Sequence, residues 1–311
     1  MTGIELLAPL ALLAVAGAYY LGKRNKQKKN AQPTTTVPAP SAQSAQPGND
    51  FAGKVVIITG GGTGLGRAMS LEMARRGAKL VLASRNPEHL NSTAAEIHAL
   101  GGEAICFPLD VRKPEEVQNM VDQTVAKFGK IDVLVNNAAG NFLLPAEKLT
   151  TNGWNAVINI VLNGTWNCTS AVGKVMIKQR QGVMLNIVAN YATSGNPGTV
   201  HSAAAKAGVL SLTRTLAVEW GGYGIRINAL APGAMVTKGA SANLQFDSEK
   251  AQKLIASRIP TGRLTSAEEM ARYAAFLCSD QACYLNGDLM TADGGQGLPR
   301  GFLDLKEQLG G

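Results

Sequence analysis

Thr59-Gly60-Gly61-Gly62-Thr63-Gly64-Leu65-Gly66 joins an apolar run to a segment with helical spacing. Glycines let a backbone turn sharply and approach a pyrophosphate, and the following helix N-terminus offers free N–H groups and a positive dipole end. With a strand before it and a helix after it, this loop predicts a dinucleotide site built on Gly60, Gly61, Gly62, Thr63, Gly64, Leu65 and Gly66. The next apolar run ends in Ala83-Ser84-Arg85. A carboxylate there would bond ribose hydroxyls and repel a 2′-phosphate, whereas a guanidinium and a hydroxyl suit that phosphate. Arg85 therefore predicts NADPH, unless it is only a solvated loop residue. Asp110, after the third run, is placed to bond the adenine amino group or to cap the helix entered at Pro114.

These residues need a frame. Strands are expected at Val55–Thr59, Lys79–Ser84, Ala104–Leu109, Asp132–Val135, Val183–Val188, Ile225–Leu230 and Asp288–Thr291. Helices are expected at Gly64–Arg76, Pro87–Leu100, Pro114–Phe128, Asn152–Lys178, Ser202–Glu219 and Ala267–Leu277. Such alternation demands a parallel sheet covered on both faces. The fold class is α/β, a single Rossmann-type doubly wound parallel sheet domain over residues 51–311.

The first fifty residues differ in kind. Ile4–Leu21 is apolar apart from Glu5 and, as a helix, would span about 27 Å, close to the hydrocarbon thickness of a bilayer. Tyr19 and Tyr20 close it, and Lys23, Arg24, Lys26, Lys28 and Lys29 follow. Signal peptides carry their charge before the apolar run, so residues 1–29 read as a transmembrane anchor with its basic flank. The charge bias places the catalytic domain in the cytosol: on a mitochondrial or endoplasmic reticulum membrane in a eukaryote, on the inner membrane in a bacterium. Residues 30–50, with Pro33, Pro38, Pro40 and Pro47, read as a disordered linker. The net charge of +8 owes much to this region, and no basic run follows it, which argues against nucleic acid as a partner. Cys106, Cys168, Cys278 and Cys283 lack metal-ligand spacing and read as reduced core residues, with no metal site.

The chain over about residues 51–295 resembles the short-chain dehydrogenase/reductase family. The resemblance is carried by the glycine loop, by Asn136-Asn137-Ala138-Ala139-Gly140, by Asn163 and Lys206, and by Pro232-Gly233. It implies that Asn137, Lys206, Pro232, Gly233, Ala234 and Met235 also serve the cofactor. The family's usual tyrosine stands four residues before its lysine. Here that residue is Ser202, and the usual serine strand end reads Asn186-Ile187-Val188-Ala189. One branch, the 2,4-dienoyl-CoA reductases, is similar in this respect. Its signature resembles Asn137-Ala138-Ala139-Gly140-Asn141-Phe142, and its tyrosine lies in the loop after the fifth strand, as Tyr191 does here. Val161-Leu162-Asn163-Gly164-Thr165 and Thr237-Lys238-Gly239-Ala240 resemble it too, whereas His201 and Asn243 replace a frequent proline and a frequent arginine.

The branch implies NADPH-dependent reduction of 2,4-dienoyl-CoA to 3-enoyl-CoA in unsaturated fatty acid degradation. Hydride adds to the far end of the diene, and charge gathers on the thioester oxygen. Tyr191 and the Asn141 amide would stabilise that oxyanion. Water near Ser202 would return a proton to the α carbon, unless Ser202 is only a helix N-cap. Lys206 would hold the nicotinamide ribose, and Arg112 and Phe142 would contact the acyl-CoA. The family also implies a homotetramer packed through its long helices. The segment Asn152–Lys178 carries Trp154, Val157, Ile158, Val161, Leu162 and Trp166 for such a contact. Two alternatives stand beside this reading: a trans-2-enoyl-CoA or carbonyl reductase of the same fold, and a membrane-anchored scaffold without catalysis.

Overall fold

The computed structural model describes residues 48–235 and 248–298. The anchor at 4–21, most of the linker, the 237–240 motif and Asn243 lie outside the described residues. Among the described residues no helix is long and apolar enough to cross a membrane.

The chain alternates β1 (Val55–Thr59), α1 (Gly64–Arg75), β2 (Lys79–Ser84), α2 (Pro87–Ala99), β3 (Glu103–Pro108), α3 (Pro114–Phe128) and β4 (Val133–Asn136). A long helical segment follows as α4 (Thr151–Ile158), a π turn (Asn159–Asn163) and α5 (Gly164–Gln179). Then come β5 (Gly182–Ile187), α6 (Val200–Gly221), β6 (Ile225–Pro232), α7 (Glu249–Ala256), α8 (Ala267–Cys278) and β7 (Leu289–Ala292). The seven strands are all parallel, in the order β3-β2-β1-β4-β5-β6-β7. The order reverses between β1 and β4, and a crevice opens at such a switch point, outside the carboxyl ends of the strands.

Strand periodicity divides the core. Val56 and Ile58 join the cluster under α1, α2 and α8, while Val55 and Ile57 join the cluster under α3 and α5. All five β1 residues are buried, as a strand covered on both faces requires. A third cluster, with Val157, Val161, Val188, Ala205 and Val209, supports the loops that carry the chemistry.

Every expected strand and helix is present, with ends shifted by a residue or two. Three readings need correction. The long helix is not uniform: its π turn falls in a run of β-branched residues that reads as ordinary helix. The helix α7, capped by the Ser248 side chain on Ala251 N, is not announced by the sequence because it is short and none of its eight residues is buried. Of the four free cysteines only Cys168 and Cys278 are core residues; Cys106 is half-buried and Cys283 exposed. Asp50, counted with the linker in the sequence, is buried and pairs with Arg76 at 3.4 Å, next to the fully buried Phe51.

Candidate active site

A cavity of about 560 Å³ runs across the carboxyl ends of the strands. At one end is the glycine loop. Gly60 adopts φ +66°, and its N–H donates to the Ala83 carbonyl at 2.6 Å, which presses the loop against β2. A side chain at Gly66 would collide with the Gly60 carbonyl, so only glycine lets α1 begin this close to the turn. Asn137 braces the loop from β4: its Nδ2 donates to the Thr59 carbonyl at 3.0 Å, and its backbone N–H to Thr59 Oγ1 at 2.9 Å. Gly60, Thr63, Gly64, Leu65, Gly66 and Asn137 line the cavity. Gly61 and Gly62 turn away from it, Gly61 packing toward Ser70 and Leu82 and Gly62 on the His89 backbone. This cradle, sized for backbone and no side chains, fits the pyrophosphate of a dinucleotide.

Arg85 lines the same end, exposed, with no hydrogen bond or ion pair among the described residues. Ser84, Asn86 and His89 lie beside it. Asn86 and His89 are not marked by any motif in the sequence; the polar run after β2 is the one signal of them. Asp110 also lines the cavity, but it does not cap α3, whose N-cap is Lys113. Its carboxylate accepts Arg112 N at 3.0 Å and Arg112 Nε at 2.9 Å, with Arg112 Nη2 on its other oxygen. Those bonds hold the Asp110 carboxyl below the usual carboxylate range. Arg112, expected at the acyl-CoA, has its guanidinium on Asp110 and is not among the residues that line the cavity.

At the other end, two loops and the first turn of α6 bring together Asn141, Tyr191 and Ser202. Tyr191 stands on a short 3-10 turn, Asn190–Ala192, directly after β5. Its hydroxyl shares a hydrogen bond with Ser202 Oγ at 3.0 Å and accepts one from Asn141 Nδ2 at 3.3 Å. The Asn141 Oδ1 accepts Phe142 N–H at 2.9 Å, which fixes which way the amide points. Ser202 is the third residue of α6, whose N-cap is Thr199, so it does not serve as a cap. Burial pushes the Tyr191 phenol above its ordinary value, against an opposing effect of the Ser202 bond. It stays protonated and able to donate.

Lys206 lies one turn beyond Ser202 on α6. Its Nζ donates to the Ile187 carbonyl at 2.6 Å, and burial lowers its pKa to about 8. Phe142 lies against the His201 ring, with centroids 4.4 Å apart. Met235 joins the cavity wall, whereas Gly233 and Ala234 line a smaller cavity of about 190 Å³ beside Arg263 and Glu269. Pro232 closes β6 opposite Ala292. Asn163 is exposed and donates to Asn159 Oδ1 at 2.8 Å; from this turn it is Ile160 and Val161 that reach the cavity.

A glycine cradle at a switch point, a buried lysine and a protonated phenol at the far end define a dinucleotide-dependent oxidoreductase. A family model described as Enoyl-(Acyl carrier protein) reductase matches residues 60–296. The chain is 53% identical over 247 residues to a Bacillus subtilis protein named "Probable 2,4-dienoyl-CoA reductase", (2E)-enoyl-CoA-producing, covering 79% of this chain and 97% of that one. It is 43% identical over 251 residues to a Caenorhabditis elegans protein of the same name, decr-1.2, (3E)-enoyl-CoA-producing, covering 79% and 81%. The crystal structure of a short chain dehydrogenase from Bacillus anthracis matches with TM-score 0.73 and 48% identity, over 80% of this chain and 98% of that one. The chain belongs to the short-chain dehydrogenase/reductase family, whose oxidoreductases use a nicotinamide cofactor.

Proposed function

We propose that the protein reduces 2,4-dienoyl-CoA to 3-enoyl-CoA with NADPH. The observation that carries this reading is the Tyr191 hydroxyl, held between Asn141 and Ser202 rather than one turn from Lys206 on the same helix. A ketone reductase must transfer a proton fully to oxygen. A dienolate needs only hydrogen bonds at that oxygen, and a phenol raised by burial is suited to donate without ionising. When bound, the reduced nicotinamide supplies a hydride. The chain's own part is to aim Tyr191 and Asn141 at the thioester oxygen, to keep Lys206 positive at the ribose, and to hold water at Ser202. Arg85, exposed at the Asp110 end of the cavity with no hydrogen bond or ion pair among the described residues, supports the 2′-phosphate of NADPH.

The dienolate can take its proton at the α carbon, giving 3-enoyl, or at the γ carbon, giving 2-enoyl. Ser202 sits beside the phenol that meets the thioester oxygen, and the α carbon is the nearer of the two to that group. NADPH oxidation against dienoyl, 2-enoyl and ketone substrates, with NMR of the product in deuterated water, tests both points. A preference for the 2-enoyl thioester or the ketone would refute the reaction, and deuterium at the γ carbon would refute the product.

The same reading includes a homotetramer built on α4 and α5, where Trp166 is 47% exposed on a core-packed helix. It also includes tethering through residues 4–21 with the enzyme on the cytosolic side. The apolar run and the basic flank behind it support that tether.

A further inference from the structure

The tyrosine turn has a second anchor on its far side. Asn190 Nδ2 donates to Asp293 Oδ2 at 3.1 Å and to Gln296 Oε1 at 3.3 Å. Asp293 is 7% exposed, and its carboxylate accepts the N–H groups of Gly295 at 2.9 Å and Gly297 at 2.7 Å. The same Gln296 oxygen accepts Ala234 N–H at 3.3 Å, one residue before the cavity-lining Met235. A Cβ at Gly233 would stand 2.7 Å from the Asp293 Cα, so the loops after β6 and β7 are in backbone contact here. Three loop ends thus meet on two acceptor side chains, and the amide that joins the tyrosine turn to them belongs to Asn190.

We infer that Asn190 is a positioning residue for Tyr191, working through Asp293 and Gln296. The Tyr191 hydroxyl has bonds at its tip only. Its backbone belongs to a single 3-10 turn, closed by Ala192 N–H on the Ala189 carbonyl at 2.9 Å and continued by Gly195 N–H on the Tyr191 carbonyl at 2.9 Å, both bonds local to the loop. A turn that short does not fix the root of a side chain against a reacting oxygen. The Asn190 amide ties this loop to a distant part of the fold from the opposite side, and the charge on Asp293 strengthens the tie. The link also ties the tyrosine to the segment carrying Met235, so the two ends of the reacting pocket keep one spacing.

This inference rests on Tyr191 as the oxyanion donor, and its test separates the two. The full chain is assayed with NADPH and a dienoyl-CoA in five variant forms: Asn190→Asp, Asn190→Ala, Tyr191→Phe, Asn190→Asp with Asp293→Asn, and Asn190→Asp with Tyr191→Phe. Asn190→Asp sets two carboxylates against each other. Turnover at pH 8 should fall about 10- to 100-fold, the cost of misplacing a catalytic group by about 1 Å. The Michaelis constant for NADPH should hold. Turnover should recover as the pH falls and one of the two carboxyls takes a proton. Adding Asp293→Asn should also restore it. Asn190→Ala should lose turnover with no pH recovery, and serves as the test should Asn190→Asp not fold. With Tyr191→Phe present, Asn190→Asp should cost nothing more. Unchanged turnover in both Asn190 variants, or a loss that adds in full to that of Tyr191→Phe, overturns the inference. Wild-type turnover in Tyr191→Phe alone overturns the oxyanion reading itself.

Discussion

Asn141 Nδ2 donates to the Tyr191 hydroxyl at 3.3 Å, so the two groups proposed to share the thioester oxygen are bonded to each other. The bond is long, and Ser202 holds the same hydroxyl at 3.0 Å. An incoming oxyanion would replace a weak contact with two charge-assisted ones, so little is lost on binding and much is gained as charge develops.

Substitution at these positions should give an order. Tyr191→Phe should lower turnover by about 10²–10³, the range for one lost oxyanion donor, and leave NADPH affinity intact. Ser202→Ala should be milder, since water can replace a hydroxyl that positions water. Lys206→Ala should damage cofactor binding and turnover together. Steady-state kinetics with direct NADPH binding reads the order; a dead Ser202→Ala beside an intact Tyr191→Phe would move the chemistry back to α6.

Lys206 gives a pH dependence with a definite sign. Burial depresses its pKa from 10.5 to about 8, so the folded protein sheds that proton more readily than the unfolded chain. Its burden on stability is fully present below about 8 and is relieved as the pH rises toward 10.5. Function runs the other way: NADPH affinity should weaken above about 8 as the ammonium is lost. Fluorescence titration across that range should show the slope in the wild type and a flat profile in Lys206→Ala.

Arg85 should decide between the cofactors. Arg85→Ala should weaken NADPH by roughly 1.5–3 kcal/mol, a charge-assisted bond's worth, and barely change NADH. Since Arg85 makes no hydrogen bond or ion pair among the described residues, thermal stability should not move. Equal losses for both cofactors would remove the selectivity argument.

The tether has its own measurement. The full chain should stay with membranes after a carbonate wash, and removal of residues 1–47 should release a soluble, active enzyme. The cut should stop before Asp50, whose ion pair with Arg76 belongs to the fold. Recovery of the full chain in the soluble fraction would end the anchor reading.

The frame was legible in the sequence because each element declares itself locally. Apolar runs such as Val55–Thr59 end in glycines, and Pro87 and Pro114 stand at helix starts. Tyr191 was reached only through resemblance, since Asn190-Tyr191-Ala192 carries no periodic signal. The bond from Asn190 to Asp293 spans 103 residues, and no local pattern marks it. The pairing of Arg112 with Asp110 spans only two residues, yet no pattern in the sequence marks it either.

The π turn at Asn159–Asn163 acts as a register joint. Within an α ladder, such a turn accommodates about one extra residue, so the helix beyond it is rotated relative to the helix before it. Val161 can then face the cavity while Cys168, Val172 and Met176 still point into the core. Deleting one residue there would preserve composition and helicity yet force a choice between lining the pocket and packing the sheet. The joint lets one continuous helix meet two surfaces whose spacings do not match.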